Sequence, residues 1–167
     1  HQTNDEGIAL FFAARESGRG IGWLSQRRKG DTVELFGPLG NGYSIYPASH
    51  NLLLLAGGIG IAPLYFLAQE THNQGYSVRL LRGASGEFKP PGKPNPPQHY
   101  PQKCLPGGIE VETITSSSDG LKNMVIDLLP GHIDWADQIF ACGPMAMYRD
   151  MAGKKQGLKG KPVQISL

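Results

Sequence analysis

The sequence has few of the residues that mark metal-binding, disulfide-stabilised or nucleic-acid-binding proteins. Only two of its 167 residues are cysteines. These are Cys104 and Cys142, which form no C-x-x-C pair, so neither a zinc site nor a disulfide framework is indicated. The histidines show no H-x-x-x-H spacing, which argues against metal ligation. The net charge is +2, and the densest basic cluster, Arg27-Arg28-Lys29, predicts a solvated turn rather than a nucleic-acid surface. We expect reduced thiols in a cytoplasmic protein.

No apolar run is long enough to predict a membrane helix. The uncharged run at 52–68 falls short of the ~20 residues that a span needs, and glycines and Pro63 interrupt it. Residues 1–7 are polar and acidic and do not resemble a signal peptide. The chain does not begin with methionine, and we expect it to be a fragment.

The most informative stretch is 51–68, NLLLLAGGIGIAPLYFLA. Its four consecutive leucines, bounded by glycine, predict a strand buried on both faces, as in a parallel sheet. Glycines at 57, 58 and 60 permit a sharp turn and the close approach of a ligand to main-chain amides. Pro63 suits the first turn of a helix. A strand, a glycine turn and a helix N-terminus together predict a binding site for a phosphate group.

The spacing of this turn is weaker evidence than its composition. Gly58-x-Gly60-x-x-Pro63 departs from the dinucleotide fingerprint G-x-G-x-x-G in its last position. The alternative interpretation, a glycine turn within an ordinary α/β core, therefore stays open.

The order of predicted elements changes near residue 50. Residues 1–46 predict a few antiparallel strands, at 8–14 and 32–36, with a helical turn at 23–26 and a glycine-rich segment at 37–43 that is either a linker or a backbone shaped around a ligand. From 51 onward, strands alternate with helices, which predicts an α/β fold with a doubly wound, mainly parallel sheet. The predicted strands lie at 52–55, 76–81, 109–115, 137–142 and 162–167, and the predicted helices at 64–73, 123–129 and 145–152.

Two further features bear on organisation. Glycine breaks follow Leu55 and Ala141 at the carboxyl ends of strands, where they can line one ligand crevice. Residues 88–106 hold seven of the 13 prolines. This density predicts a surface loop with polyproline II character, and a proline-rich protein-binding motif is the alternative.

Four blocks of sequence together resemble the ferredoxin reductase superfamily of flavoproteins. They are GRGIGWLS at 18–25, GPLGNGY at 37–43, AGGIGIAPL at 56–64, and Cys142-Gly143-Pro144. GPLGNG directly before the leucine strand is the most specific block, and it resembles the electron transfer subunits of class B dihydroorotate dehydrogenases. The likeness covers the whole chain apart from the proline-rich insert.

This resemblance implies a partial FAD-binding β-barrel at 1–46 and an NAD-binding α/β domain at 47–167, with the proline-rich loop at 88–106. It implies electron transfer between FAD and NAD in pyrimidine biosynthesis, with an FMN-containing catalytic subunit as partner. It places FAD at Gly20, Ile21, Gly40, Asn41 and Gly42, the phosphates and ribose of the dinucleotide at Gly57, Gly58, Ile59, Gly60 and Pro63, and the nicotinamide near Cys142, Gly143 and Pro144. No catalytic acid or base is expected, because hydride transfer between NADH and flavin needs none at the transferring carbon.

The chain also departs from the family pattern. Ile21 stands where the family usually has a hydroxyl side chain, and the segment that clamps the flavin lies upstream of His1 in the family. The family continues into a cysteine cluster that binds [2Fe-2S], which needs four thiolates that Cys104 and Cys142 cannot supply. The resemblance therefore implies an electron transfer subunit truncated at both ends.

Several alternatives follow from these departures. One is a related reductase subunit serving a hydrogenase, sulfite reductase or ferredoxin, and another is a non-catalytic nucleotide-binding module. The resemblance favours NAD, whereas Arg82, with Glu87 a few residues on, leaves NADP open. Cys142 is either a small buried packing residue or a nicotinamide contact.

Overall fold

The computed structural model describes residues 2–4, 7–10, 19–37, 39–84, 105, 107–115 and 124–166. The chain divides into two compact units, His1–Ser44 and Ile45–Leu167. Each unit is described separately below. The predicted proline-rich loop at 88–106 lies outside the described residues, apart from Leu105.

The described residues of the first unit form two short strands and one helix. Strands β1 (Gln2–Asn4) and β2 (Gly7–Ala9) pair antiparallel, with Thr3 opposite Ile8, and helix α1 spans Arg19–Ser25. The strand predicted at 8–14 is thus present only as β2 and ends before Leu10, and residues 11–14 lie outside the described part.

The prediction of a strand at 32–36 is wrong. These residues are in no strand, and the side chain of Phe36 is 90% exposed. An alternating pattern forms a stable strand only when a neighbouring strand pairs with it and a core covers one face. Residues 32–36 have no such pairing among the described strands.

The second unit is a parallel sheet with helical segments between its strands. Its strands are β3 (Asn51–Gly57), β4 (Ser77–Ala84), β5 (Glu110–Thr115), β6 (Gln138–Cys142) and β7 (Val163–Ser166). Its α-helices are α2 (Ile61–Asn73) and α3 (Met145–Gly153), and its 3-10 helices are Gly58–Gly60, Val125–Gly131 and Lys155–Leu158.

The strand order confirms the predicted α/β class. All four pairings in the order β5-β4-β3-β6-β7 are parallel. The chain enters at the central strand β3, proceeds outward through β4 and β5, and then returns to place β6 on the other side of β3. The strand order therefore reverses between β3 and β6, and open α/β sheets bind ligands at the carboxyl ends of the strands at such a point.

The leucine strand forms the centre of the core. The side chains of Leu52, Leu53, Leu54 and Leu55 are fully buried, as predicted for a strand covered on both faces. Leu53 and Leu55 belong to a cluster with residues of the Val125–Gly131 helix and of α3, and α2 contacts β3, β4 and β6. Full burial of each such side chain contributes about 1.5–3 kcal/mol.

Two helices differ in detail from their predictions. Helix α2 begins at Ile61 rather than at residue 64, which places Pro63 in its first turn, as predicted. After α2 the chain turns at Gly75, whose φ is +91°, a conformation that glycine adopts readily. The helix predicted at 123–129 is the 3-10 helix Val125–Gly131, which contains Pro130.

Across the described residues, none of the helices has both the length and the apolar character needed to cross a membrane.

A single carboxylate joins the amino ends of β3 and β6. Asp137 accepts hydrogen bonds from the backbone N–H groups of His50 at 2.9 Å and Asn51 at 2.8 Å. Its own N–H donates to the Asn51 carbonyl at 2.8 Å. The hydrogen bonds from Asn51 and His50 hold the pKa of the Asp137 carboxyl below its ordinary value of 3.8.

We expect Asp137→Ala to lower the free energy of unfolding at neutral pH by about 1–3 kcal/mol, the usual range for hydrogen bonds to a charged group. Because the pKa is depressed in the folded state, this stabilisation is present above the unfolded pKa and is lost as the pH falls through the folded pKa. Urea unfolding at several pH values should therefore show the two proteins converging below pH 3.8. Asp137→Asn, which keeps one acceptor oxygen, should be intermediate, and a constant difference down to acid pH would contradict this account.

Candidate functional site

Two turns meet at the carboxyl edge of the sheet, where the strand order reverses. The first, Gly58–Gly60, follows β3, and the second, Gly143-Pro144, follows β6 and leads into α3. Ala56 and Cys142 are partners in the β3–β6 register, so the two turns leave the sheet side by side. The predicted convergence of both glycine breaks at one edge is confirmed.

The backbones of the two turns touch because three of their residues lack a side chain. A Cβ at Gly60 would lie 2.0 Å from the carbonyl oxygen of Cys142, which no real contact allows. A Cβ at Gly57 would lie 2.7 Å from Cδ of Pro144, and one at Gly143 would lie 2.8 Å from Cε of Met147. Packing therefore accounts for Gly60, which meets backbone, and for Gly57, which meets the Pro144 ring, whereas at Gly143 the nearest atoms belong to the flexible end of Met147.

Gly58 is required for a different reason. Its φ is +55° and no atom would lie within 4 Å of a Cβ there, so the constraint is the left-handed backbone rather than space. Gly58 is exposed, and the side chain of Ile59 is 49% exposed. This part of the turn is open to a ligand.

At the start of the 3-10 turn and of α2, no capping side chain or acidic residue competes with a ligand for the main-chain amides. Neither Gly57, which caps the 3-10 turn, nor Gly60, which caps α2, makes a side-chain capping bond, and neither first turn contains an acidic residue. The first amides of a helix have no acceptor within the helix, and its dipole favours a negative charge there. The arrangement suits an anionic group at Gly58 and Ile59.

The second turn offers no free amide. The N–H of Gly143 donates to the Tyr148 hydroxyl at 2.9 Å, and this hydroxyl donates to the carbonyl of Ser166 on β7. Pro144 has no N–H to donate. The first main-chain donors beyond the turn are the amides of Met145 and Ala146, which open α3 without a capping side chain.

Cys142 lies half-buried at the end of β6. Burial raises the pKa of its thiol, and hydrogen bonds to Ser166 and Tyr148 oppose part of that rise. The thiol is thus neutral near pH 7, and the residue is a weak nucleophile. This environment fits a packing residue at the edge of the turn.

A groove in the second unit lies away from the two turns. A cavity of about 470 Å³ lies between α3 and β7, and its lining includes Tyr148 but neither the 3-10 turn nor Cys142. The lining is mainly apolar and consists of Tyr148, Met151, Ala152, Leu158, Gly160, Lys161, Val163 and Ile165. The chemistry of the two turns, rather than cavity size, therefore identifies the candidate site.

The residues expected to contact FAD all lie in the first unit. Gly20 and Ile21 belong to α1, Gly40 has a φ of +82°, and Asn41 and Gly42 follow it. All five are exposed. This exposure leaves each of the five accessible to a pyrophosphate group.

The structure corrects the placement of Arg82. This residue is inside β4, with Ala56 and Thr113 as its register partners, because the strand continues to Ala84. Arg82 still lies near the carboxyl end of the strand, where a residue that selects between NAD and NADP is expected, and the preference for NAD stays a prediction. Glu87 falls outside the described residues.

Sequence reasoning missed Tyr148 and Met147, which hold the second turn from α3. The signal in the sequence was their spacing from Gly143, which ends the strand. Side chains in the first turns of a helix point back toward its N-terminus, so residues four or five positions after that glycine can cover the turn. Among the described residues, no group of three or more histidine, cysteine, aspartate or glutamate side chains could hold a metal ion.

The environment of Cys142 predicts slow alkylation at neutral pH. We expect iodoacetamide to modify Cys142 more slowly than an exposed thiol of a model peptide, with the rate still rising above the ordinary thiol pKa, because burial disfavours the thiolate. Mass spectrometry of the peptide that contains residue 142 measures this separately from Cys104. Modification as fast as the model peptide at pH 7 would show that the thiol is neither buried nor neutral.

Comparison with known proteins identifies similar chains. No protein-family model matches the sequence. The chain is 32% identical over 155 residues to the electron transfer subunit of dihydroorotate dehydrogenase B (NAD(+)) from Bacillus caldolyticus, an alignment that covers 92% of this chain and 56% of that protein. It is 30% identical over 169 residues to the Bacillus pumilus protein of the same description, covering 100% of this chain and 60% of that protein.

A solved structure is similar in fold. A chain of an NADH-dependent reduced ferredoxin-NADP oxidoreductase, from a study of flavin-based electron bifurcation, matches with a TM-score of 0.70 and 26% identity, over 92% of this chain and 53% of that chain. The chain thus spans between half and two thirds of the proteins it matches. The resemblance stated from the four sequence blocks is confirmed: the relatives of this chain are electron transfer subunits of class B dihydroorotate dehydrogenases within a ferredoxin reductase-like fold.

Proposed function

We propose that this chain is the nucleotide-binding part of the electron transfer subunit of an NAD-dependent dihydroorotate dehydrogenase. In this role it moves electrons between FAD and NAD in pyrimidine biosynthesis. The observation that carries the proposal is the open, uncapped turn at Gly58 and Ile59, beside the Cys142-Gly143-Pro144 turn at the switch point of the sheet. Relatives with the matching sequence are named as such subunits.

The proposal assigns one part of the dinucleotide to each turn. The diphosphate binds at Gly58 and Ile59, where the helix dipole stabilises its negative charge. Gly57 and Gly60 keep the two turns in contact, and Pro63 completes the first turn of α2. The nicotinamide lies against Cys142, Gly143 and Pro144, three residues without a charged side chain, of which Gly143 has its amide bonded to Tyr148 and Pro144 has no N–H.

FAD supplies the hydride and single-electron chemistry in this proposal. Gly20, Ile21, Gly40, Asn41 and Gly42 would contact it through the backbone. The same proposal includes an FMN-containing dihydroorotate dehydrogenase catalytic subunit as partner, NAD rather than NADP, and a cytoplasmic location. A [2Fe-2S] cluster needs four thiolates, and this chain has two cysteines in all.

A second candidate is a reductase component that serves another partner, such as ferredoxin. The fold similarity to the NADH-dependent reduced ferredoxin-NADP oxidoreductase chain supports it. Both candidates use the same nucleotide turn. Reduction of NAD⁺ by dihydroorotate in the presence of the dihydroorotate-oxidising subunit would support the first candidate. Reduction of NAD⁺ by reduced ferredoxin without that subunit would support the second.

We predict that a negative charge at position 58 blocks dinucleotide binding. Aspartate and asparagine both tolerate a positive φ better than most residues, so Gly58→Asp and Gly58→Asn differ mainly in charge. We expect Gly58→Asp to bind NADH at least ~10-fold more weakly than Gly58→Asn, because one added charge near a phosphate costs on the order of 1–2 kcal/mol with partial screening. Isothermal titration at two salt concentrations measures both affinities.

The gap between these two variants should narrow at high salt, as expected for partly exposed charges. Equal affinities would contradict the placement of the diphosphate at this turn. Valine is a poorer probe here, because a β-branched side chain is strained at φ +55° whether or not a ligand binds.

A visible absorption spectrum of the purified protein tests the flavin part of the proposal. A flavoprotein shows bands near about 370 and 450 nm, as oxidised flavins do. We expect these bands, together with NADH binding, from an electron transfer subunit. A colourless protein that binds NADH would instead be a nucleotide-binding module, and a protein that binds neither NADH nor NAD⁺ would contradict both functions.

A further inference from the structure

One hydroxyl group fixes the position of the second turn. Tyr148, in the first half of α3, accepts a hydrogen bond from the Gly143 amide at 2.9 Å and donates one to the Ser166 carbonyl. The phenol oxygen thus acts as both acceptor and donor, and the Cys142 thiol lies within hydrogen-bonding reach of it as well. This hydroxyl therefore joins the turn, α3 and the edge strand β7 at one point.

The same point controls how the two turns meet. Cys142 and Ser166 are the last partners in the β6–β7 register. The Tyr148 hydroxyl therefore links Ser166 of this pair to Gly143, the residue that directly follows Cys142. Gly143 packs against Gly57, since a Cβ on Gly143 would lie 3.1 Å from Cα of Gly57. A displaced Gly143 would therefore change the contact between the two turns.

Tyr148 is also placed to act without touching a ligand itself. Its ring lines the apolar groove between α3 and β7, while its hydroxyl points to the main chain of the turn. Burial raises the pKa of this hydroxyl, which keeps its proton in place for the bond to Ser166. The ring thus lies in the groove, and the hydroxyl is bonded to the main chain of Gly143 and Ser166.

We propose that Tyr148 is a positioning residue for the nicotinamide end of the dinucleotide. This inference rests on the proposed function, because it assumes that the Cys142-Gly143-Pro144 turn faces the nicotinamide. Tyr148 fixes this turn by binding the Gly143 amide, and Gly143 in turn packs against Gly57, whereas Gly58 has open space around its Cβ position. We therefore expect Tyr148 to affect recognition of the nicotinamide more than that of the diphosphate.

The test compares two ligands on the variant Tyr148→Phe. Phenylalanine keeps the ring that lines the groove but leaves the Gly143 N–H and the Ser166 carbonyl without this partner. NADH contains the nicotinamide, whereas ADP-ribose has the same diphosphate and adenosine without it. We expect NADH to bind about 5–10-fold more weakly, a loss of the size of the net free energy of one hydrogen bond, and ADP-ribose affinity to change less than ~2-fold.

Tyr76→Phe is the matched control. It removes a hydroxyl from a tyrosine directly before β4, at the opposite end of the sheet. Neither affinity should change in this variant. Far-UV circular dichroism and thermal unfolding verify the fold of both proteins.

The possible outcomes separate the inference from the function on which it rests. Unchanged NADH affinity in Tyr148→Phe, or an equal loss for NADH and ADP-ribose, overturns the positioning role and leaves the proposed function standing. Absence of binding of both ligands to the unmodified protein overturns both. Hydrogen exchange of the Gly143 amide in the unmodified protein provides a test that needs no variant: slow exchange is expected, and exchange at the rate of a free peptide overturns the inference.

Discussion

The arrangement of the site depends on the direct contact of two backbones at the carboxyl edge of the sheet. Gly57 and Gly60 lie against Cys142, Gly143 and Pro144 at distances that no side chain permits. Because the contact joins main chain to main chain, it cannot relax by changing a rotamer, and a single added methyl group must move one of the two turns. The relative position of the turns is thus set by the fold rather than by flexible side chains.

The leucine strand makes this contact rigid. Its side chains are buried on both faces, so β3 cannot shift without disturbing the packing of helices above and below the sheet. At the amino end, Asp137 holds the start of β3 through the amides of His50 and Asn51. At the carboxyl end, the glycine contact and the Tyr148 hydroxyl hold the two turns. The strand pair β3–β6 is therefore fixed at both ends. This preorganises the site between the two turns at the carboxyl end.

Sequence patterns predicted the features that depend on local physics. The leucine run, the helix with Pro63 in its first turn and the alternation of strands with helices were all readable from neighbouring residues. The strand predicted at 32–36 was wrong because pairing with another strand is not a local property. In the sequence Gly58 and Gly60 look equivalent, but one is required by its positive φ and the other by the Cys142 carbonyl oxygen. That difference, like the role of Tyr148, depends on chain segments that are distant in sequence.

The two turns differ in what they offer a ligand, and this difference gives the site a direction. The turn at Gly58 and Ile59 is open, uncapped and at the positive end of a helix, so it favours an anion. At the second turn the Gly143 amide is bonded to Tyr148 and Pro144 has no N–H, so the first main-chain donors are the amides of Met145 and Ala146 at the start of α3. The first turn thus presents its amides directly at the end of β3, whereas the second presents a two-residue stretch without a free amide before its helix begins. A flat, uncharged group fits against such a stretch without leaving a buried donor unpaired, and an anion fits the first turn.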